Sequence, residues 1–474
     1  MGPRRALAYA QRNRPRFVEE LKEFVRFPSV SSQPHHARDV RRCATWLAAQ
    51  LRRIGLDGVQ SIATRGHPIV YGAWTRAPDK PTLLIYGHYD VQPADPEEEW
   101  ESPPFAPAIR GNDLFGRGAC DDKGQLLAQV KALECWLKTA GALPLNVRCL
   151  FEGEEEMGGG PNFAAFVGQN RRALRADAAV MSDTRMLGPN RPALTYAQRG
   201  MVRFALEVFG PREDLHSGNF GGAVMNPVQA LCQILNGMHS SDGRVAIPGF
   251  YDRVRAWSER ERAFMARSGP RDEEILRDAG VKAGWGEQGF TLYERLTLRP
   301  ALTLNGISGG YTGPGLKASI PAKASARVSI RTVPDQQARE VEEMVRKHVE
   351  KLTPPGVTVR LRLLGSSEPA VVDRGHPALR AASAAYRLGF GVRPVLLRSG
   401  GSIPAVSLFR EELGIPTSLM GFALPTDRIH AANERFHLPN FYRGIDTCIW
   451  NLTAAAALLR RGRSTDRAAR ATPR

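Results

Sequence analysis

The 474-residue sequence lacks several features that mark secreted, membrane and disulfide-rich proteins. It has only six cysteines, with no Cys-x-x-Cys pair, which excludes a disulfide scaffold or zinc-knuckle array and predicts reduced, mostly buried thiols. No apolar run reaches the ~18 residues of a membrane span, and no apolar stretch of signal-peptide length follows the N-terminal arginines. We therefore expect a cytoplasmic protein.

Acidic residues are too few to balance the basic ones. The 65 Lys and Arg residues against 48 Asp and Glu give a net charge of +17, scattered from Arg4 to Arg461. Basic motifs interleaved with aromatic residues are absent, so we predict no nucleic-acid or membrane partner. Nucleic-acid binding stays as the alternative from another functional class, and a steep salt dependence of DNA binding would support it.

The first part of the chain alternates helical and strand-like segments. Helix-period patterns at 17–27, 40–54 and 124–138 alternate with apolar runs at 82–86, 146–151 and 178–181. This order predicts an α/β sheet, in which functional side chains gather at strand ends.

The middle of the chain has a different pattern. A strand at 201–209, a helix at 226–238, two strands within 301–330, a helix at 335–351 and a strand at 357–364 follow one another. This split βαβ order predicts a ferredoxin-like α+β domain inserted into the first. Residues 376–460 complete the mixed sheet, which gives domains at 1–198, 199–370 and 371–474. Segment 240–298 has a helical, charged pattern without an assigned role.

Acidic clusters follow the strand-like runs. They are Asp90 after His88, Asp121-Asp122, the run Glu154-Glu155-Glu156, and Asp183. Carboxylates gathered at strand ends repel one another, so a pair of metal ions is the economical explanation. Taken singly, each cluster has a structural interpretation: a surface turn for His88, a helix N-cap for Asp122, and a solvated turn for the three glutamates.

Six motifs in order along the chain resemble the dinuclear metallopeptidase family. That family includes cytosolic nonspecific dipeptidase and carnosinase, with glutamate carboxypeptidase, aminoacylase and succinyl-diaminopimelate desuccinylase as relatives. The motifs are Gly87-His88-Tyr89-Asp90-Val91, Gly116 to Gly124, Glu152-Gly153-x-Glu155-Glu156, Asp214-Leu215-His216-Ser217-Gly218, Gly400-Gly401-Ser402-Ile403-Pro404 and His430-x-x-Asn433-Glu434.

The resemblance implies a specific set of metal ligands. One divalent ion would be bound by His88, Asp121 and Asp183, and the other by Asp121, Glu156 and His430. Zinc is the expected metal, with manganese or cobalt as alternatives, since histidine and carboxylate ligands suit all three. Of the three glutamates, the family spacing selects Glu155 as general base and Glu156 as ligand. An extended backbone would point these two neighbouring side chains in opposite directions.

The resemblance also implies further roles. Independently of the resemblance, Asp90 lies two residues after His88 and would accept its second ring N–H, which fixes the tautomer. His216, in a lid and dimerisation domain, would stabilise the oxyanion in the partner subunit of a homodimer. Arg331, Gly401 and Ser402 would bind the substrate carboxylate. Ser399 stands where the dipeptidases have a glutamate that pairs with the substrate ammonium.

These expectations define two candidate reactions. The first is hydrolysis of dipeptides or similar small peptides by a water activated between two metals. The alternative is deacylation or decarbamoylation of an N-modified amino acid at the same metals, which the neutral Ser399 motivates. Turnover of free and N-blocked dipeptides distinguishes the two.

Overall fold

The computed structural model describes residues 2–470, with side chains described for residues 2–459. Within them, no helix is both long enough and apolar enough to span a bilayer. By internal packing the chain divides into two units. The first unit comprises residues 2–196, 372–397 and 405–470, and the second comprises residues 197–371 and 398–404. The catalytic and lid roles assigned to segments 1–198, 199–370 and 371–474 stay predictions.

The first unit contains a mixed sheet flanked by helices. Its strands lie in the order β1-β2-β6-β3-β7-β17-β8, and β16 pairs with β8. Up to residue 198 its elements are α1 (Pro3–Arg12), α2 (Arg14–Val25), α3 (Ala37–Ile54), β1 (Asp57–Ile62), β2 (Ile69–Trp74), β3 (Thr82–His88), β4 (Ala108–Arg110), β5 (Asp113–Phe115), α4 (Lys123–Ala140), β6 (Asn146–Glu152), α5 (Pro161–Gln169), β7 (Ala178–Met181) and β8 (Ala193–Gln198).

The second unit is built around a four-stranded antiparallel sheet in the order β11-β13-β9-β14. Its elements are β9 (Gly200–Phe209), β10 (Leu215–His216), α6 (Ser217–Phe220), α7 (Pro227–Asn236), α8 (Glu259–Ser268), α9 (Asp272–Ala279), α10 (Leu292–Thr297), β11 (Ala301–Gly309), β12 (Ser319–Ile320), β13 (Lys323–Thr332), α11 (Ala338–Leu352), β14 (Thr358–Ser367) and β15 (Ala370–Val371).

The chain then returns to the first unit. The remaining elements are α12 (Pro377–Gly389), β16 (Val395–Ser399), α13 (Pro404–Leu408), β17 (Thr417–Met420), β18 (Arg435–His437) and α14 (Leu438–Arg470). A π-helical turn, Phe409–Leu413, extends α13. Parallel pairing of β3 with β6 and β7, and of β7 with β17, places four carboxyl ends at one edge of the sheet.

Two hydrophobic patterns explain this architecture. Strands β3 and β7 are apolar and almost fully buried, as expected for parallel strands covered on both faces. On β9, β13, α7 and α11 the apolar residues alternate or recur at helical spacing, and they pack into one core that includes Val202, Phe204, Leu231 and Val345. The predicted fold class, a mixed sheet with an inserted ferredoxin-like domain, is confirmed.

Candidate metal centre

The carboxyl ends of three parallel strands carry most of the predicted ligands. His88 is the last residue of β3 and stands in register with Glu152, the last residue of β6. Asp183 follows the end of β7 by two residues. Buried apolar strands fix these ends rigidly, so polar side chains that follow the strands converge at one edge of the sheet.

Two further ligand candidates come from loops. Asp121 immediately precedes Asp122, which is the N-cap residue of the buried helix α4. His430 lies between β17 and β18 and has a left-handed backbone, with φ of 64°. The segment that follows His430 is fixed because β18 pairs with β5, the strand that leads toward Asp121.

The structure brings these side chains into two overlapping groups. His88, Asp121 and Asp183 form one, and Asp121, Glu156 and His430 form the other; within each, the candidate ligand atoms lie within 4.8 Å of one another. Asp121 joins the groups through different oxygens. Its Oδ1 lies 3.1 Å from Nε2 of His88, and its Oδ2 lies 2.9 Å from Nε2 of His430.

The charges in this cluster perturb one another strongly. Burial would lower the pKa of His88, but the carboxylates of Asp121 and Asp90 raise it well above its ordinary value. The nearby carboxylates of Asp121 and Glu156 raise the pKa of His430 to about 10. Burial and the neighbouring Asp121 charge raise the pKa of Asp183 well above its usual range. The nearest imidazole, with Nε2 of His88 at 3.9 Å from Oδ2 of Asp183, therefore does not offset the burial of this carboxylate and the charge of Asp121.

The donor set fits divalent metal ions. Oε1 of Glu156 is buried, accepts no hydrogen bond and lies 3.3 Å from Nε2 of His430. A buried acceptor without a donor is costly unless a cation binds it. Imidazole nitrogens mixed with carboxylate oxygens suit zinc, manganese or cobalt. His88, Asp121, Asp183, Glu156 and His430 can therefore hold two ions that share Asp121.

The three consecutive glutamates do not lie on an extended backbone, and that expectation was wrong. Strand β6 ends at Glu152, and Glu155–Met157 forms a 3-10 turn, because amides of the turn bond to the carboxylate of Asp90. Glu154 accepts hydrogen bonds from His67 N at 3.0 Å and Asn162 Nδ2 at 3.2 Å. It is thereby engaged away from the ligand cluster.

Glu155 is the remaining carboxylate of the three. Burial raises its pKa to about 8; His88 opposes this rise, and Glu156 and Asp90 reinforce it. A carboxylate with this pKa takes and gives protons near neutral pH. This pKa is compatible with the predicted role of general base, which stays a prediction.

The contacts of Asp90 differ from the expected one, in which its carboxylate accepts the second ring N–H of His88. Nδ1 of His88 lies 3.1 Å from the carbonyl oxygen of Asp90 and 3.4 Å from its Oδ1, so the nearer acceptor is the backbone. The carboxylate of Asp90 instead accepts from Ser31 Oγ at 2.6 Å and from the amides of Glu155 and Glu156 at 3.3 and 3.1 Å. Asp90 thus fixes the turn that carries Glu155 and Glu156.

Asp122 also departs from the expectation. It occupies the N-cap position of α4, but its side chain makes no capping bond. Its fully buried Oδ2 lies 3.4 Å from the amide of His88, and burial together with Asp183 raises its pKa well above its ordinary value. The predicted helix-capping carboxylate therefore bonds to the strand that carries His88.

Sequence reasoning missed the partners of Glu434. Its carboxylate is completely buried and accepts hydrogen bonds from the amides of Gly118, Cys120 and Asp121 at 2.9–3.0 Å, and from Nη1 of Arg117 at 2.8 Å. The motif His430-x-x-Asn433-Glu434 contained this residue, but nothing in the motif indicated what it binds.

In the second unit, the residues predicted for the substrate carboxylate lie together. Nη1 of Arg331 donates to Ser402 Oγ at 2.9 Å, and Ser402 Oγ donates to the carbonyl of Arg199. Gly401 N donates to Ser399 Oγ at 3.1 Å, which closes a tight turn. Ser399 is thus engaged with its own loop.

Arg199 is a second guanidinium near Arg331. Its Nε donates to Gly400 O at 3.0 Å, and its Nη1 donates to Arg299 O at 3.2 Å. Burial and the Arg331 charge lower the pKa of Arg199 to about 9. Among residues with described side chains, neither arginine forms a salt bridge. An anion would therefore be attracted to this place.

His216 caps a short helix. It is exposed, and its Nδ1 accepts a hydrogen bond from Gly218 N at 3.0 Å at the start of α6. Nδ1 of His216 thus caps the first turn of α6. With Nδ1 accepting, the ring carries its proton on Nε2, which is thereby able to donate a hydrogen bond. Its predicted oxyanion role stays a prediction.

The sequence profile of peptidase family M20/M25/M40 matches residues 84–449, which contain the five candidate ligands and Glu155. The chain belongs to this family. It is 32% identical to the Cys-Gly metallodipeptidase of Candida albicans over 454 residues, which cover 92% of this chain and 93% of that protein.

Solved structures of similar fold include human carnosine dipeptidase 1, with a TM-score of 0.86 and 28% identity over 96% of this chain and 99% of the other. The M20 family metallo-carboxypeptidase Sso-CP2 of Sulfolobus solfataricus has a TM-score of 0.84 and 31% identity, covering 93% and 99%. This M20/M25/M40 member is therefore a dipeptidase-like hydrolase, and its family implies divalent metal ions.

Proposed function

We propose that this protein hydrolyses the peptide bond of dipeptides, with two divalent ions bound by His88, Asp121, Asp183, Glu156 and His430. The carrying observation is that Asp121 presents one oxygen to each of two histidines, within two groups of candidate ligands. The similarity to dipeptidases over nine-tenths of the chain supports this substrate class. When bound, the ions would polarise the scissile carbonyl and activate a water molecule.

The chain's own groups would position and move protons. Glu155 takes a proton from the attacking water on its carboxylate and returns it to the leaving amine. Asp90 holds Glu155 in place, because its carboxylate accepts a hydrogen bond from the backbone amide of Glu155. Arg331, with Ser402 and Gly401, binds the substrate carboxylate, and His216 donates to the oxyanion from a partner subunit.

The test compares two neighbouring glutamates. Glu155→Gln removes the proton acceptor, so hydrolysis of a dipeptide panel falls about 10²–10⁴-fold, while the protein still binds two equivalents of Zn²⁺. The matched control is Glu154→Gln, whose side chain bonds to His67 and Asn162. It retains turnover within a few-fold. Full activity of Glu155→Gln, or binding of less than two equivalents of metal by the unmodified protein, contradicts the proposal.

A second candidate reaction is removal of an acyl or carbamoyl group from an amino acid. The supporting observation is the neutral Ser399, whose hydroxyl accepts from Gly401 N and provides no charge for a substrate ammonium. Faster turnover of N-acetyl dipeptides than of the free forms supports this second reaction, and the reverse order supports the first.

We also propose zinc as the native metal, a cytoplasmic location and a homodimer formed through the second unit. All six cysteines are free thiols, five of them buried, which is usual for a reducing compartment.

The proposed homodimer rests on strand β11, which is an edge strand of its sheet. Its residues 303–309 are all exposed, including Leu304 and Ile307. An exposed apolar edge strand is suited to pairing with a second copy.

A further inference from the structure

The two loops that carry Asp121 and His430 are far apart in sequence but are joined by paired strands. β5 ends at Phe115, and β18 begins at Arg435, its partner in the pairing. The next contact continues the ladder, because the amide of Gly116 donates to the carbonyl of Glu434 at 2.9 Å. The loops 116–122 and 427–434 therefore start from the same end of a short sheet.

Beyond Gly116, the loop is bonded to the side chain of Glu434 and no longer to its backbone carbonyl. Oε1 accepts from the amides of Cys120 and Asp121, both at 3.0 Å, and Oε2 accepts from the amide of Gly118 at 2.9 Å. Three amides of one loop thus converge on a single carboxylate. Hydrogen bonds to a buried carboxylate are stronger than those between neutral groups, so this arrangement holds the loop firmly.

The charge of Glu434 is balanced within the same loop. Nη1 of Arg117 donates to Oε2 at 2.8 Å, and both side chains are almost completely buried. Arg117 is fixed in turn by the carbonyl of Pro93 at 3.1 Å and by the ring of Trp100. A buried charge pair with these additional hydrogen bonds is satisfied, whereas removal of one partner leaves the other uncompensated.

We propose that Glu434 is a positioning residue that sets the backbone of Asp121, the shared ligand, relative to the loop of His430. Glu434 touches no reacting atom. It acts through Asp121, because its carboxylate accepts a hydrogen bond from the Asp121 amide. It also acts through His430, which lies four residues earlier in the same loop as Glu434. Groups behind metal ligands typically change metal affinity about 10–100-fold when they are altered. This inference rests on the proposed metal site.

The experiment measures Zn²⁺ affinity of the full chain, stripped of metal, by competition with a chelating dye. Glu434→Gln keeps the shape of the side chain but removes its charge, so the Kd for at least one Zn²⁺ rises about 10–100-fold. The matched control is Glu134→Gln, which alters another buried carboxylate, bonded to Lys131 at 3.0 Å on α4. Its Zn²⁺ affinity stays within two-fold of the unmodified protein even where its thermal midpoint falls equally.

A second readout uses no metal. Hydrogen exchange of the metal-free proteins is expected to accelerate at residues 116–122 in Glu434→Gln and to stay unchanged there in Glu134→Gln. If Glu434→Gln does not fold, Arg117→Lys serves instead, since it retains the charge but loses the planar donor; a several-fold rise in Kd is expected. Unchanged Zn²⁺ affinity in folded Glu434→Gln or Arg117→Lys, or an equal loss in Glu134→Gln, overturns the inference. Failure of the unmodified protein to bind two Zn²⁺ refutes the proposed function instead.

Discussion

At the scale of single residues, the described arrangement around Arg331 bears most directly on specificity. Its guanidinium is fixed by Ser402 Oγ, and no carboxylate among the described side chains offsets the charge of the nearby Arg199. A guanidinium presents parallel donors to both oxygens of a carboxylate, which a neutral amide does not match. Recognition of a free carboxyl terminus should therefore depend on Arg331.

We expect Arg331→Gln to raise KM for free dipeptides about 10–100-fold, because hydrogen bonds to a charged group contribute about 1.5–3 kcal/mol. Dipeptide amides, which lack the carboxylate, should be affected less than three-fold. The measurement is steady-state kinetics on matched acid and amide substrates. The control is Arg327→Gln, an exposed arginine on the same strand β13. Equal losses on acids and amides would show that Arg331 does not bind the carboxylate.

Residue roles were predictable from the sequence only where the chemistry of the side chain is distinctive. The motifs selected His88, Asp121, Asp183, Glu156 and His430, and these are the side chains that the fold brings together. The partners of Glu434 and the carbonyl contact of His88 were not predictable, since they depend on backbone groups that every residue carries.

At the scale of elements, the N-terminus of α4 is tightly packed beside the loop that carries Asp121. A Cβ atom added at Gly124 would lie 2.2 Å from the carbonyl oxygen of Ala119 and 2.4 Å from the ring of Phe436. Such distances are below any acceptable contact, so either the loop of Asp121 or strand β18 would have to move.

Gly124→Ala is therefore expected to lower the free energy of unfolding by about 1–3 kcal/mol and to weaken Zn²⁺ binding. The measurements are thermal unfolding and dye competition. Gly168→Ala in α5 is the control, because its added Cβ would lie 3.5 Å from Glu412 Oε2, an ordinary contact. Alanine there should be neutral or stabilising, as in most helix interiors. A Gly124→Ala protein as stable as Gly168→Ala would contradict the packing argument.

Elements with strong periodicity were predicted well, and local turns were not. The buried strand Ala178–Met181 and the helices α3 and α4 follow directly from apolar spacing. The 3-10 turn at Glu155–Met157 does not follow from apolar spacing. It is held by a hydrogen bond from the amide of Glu155 to the carboxylate of Asp90, which lies 65 positions earlier in the chain. Acidic residues in a row carry no periodic signal that indicates such a turn.

At the scale of the whole molecule, the order of strands in the second unit leaves β11 at the end of the sheet. Residues 303–309 are all exposed, and because successive side chains point to opposite faces of a sheet, both faces of this end of the strand are open to solvent. The proposed homodimer makes use of this edge, where backbone groups are available for pairing with a second copy.

Ile307→Lys is expected to convert the dimer into a monomer, since a charged residue on an edge strand opposes pairing. Sedimentation velocity at micromolar concentration provides the measurement, with circular dichroism to verify folding. The matched control is Leu363→Lys on β14, the strand at the other end of the sheet, where a comparable side chain is exposed. If the dimer persists in Ile307→Lys but is lost in Leu363→Lys, the interface lies at the opposite edge of the sheet, along β14, and the proposed pairing through β11 is wrong.

The five candidate ligands are spread over the chain in an uneven way: four lie between residues 88 and 183, and the fifth, His430, lies beyond the whole second unit. During synthesis the ribosome must therefore release nearly all of the polypeptide before the second ion acquires its full set of donors. Capture of that ion would accordingly be a late event in biogenesis, and a product truncated before residue 430 would retain the first group of donors but only Asp121 and Glu156 of the second.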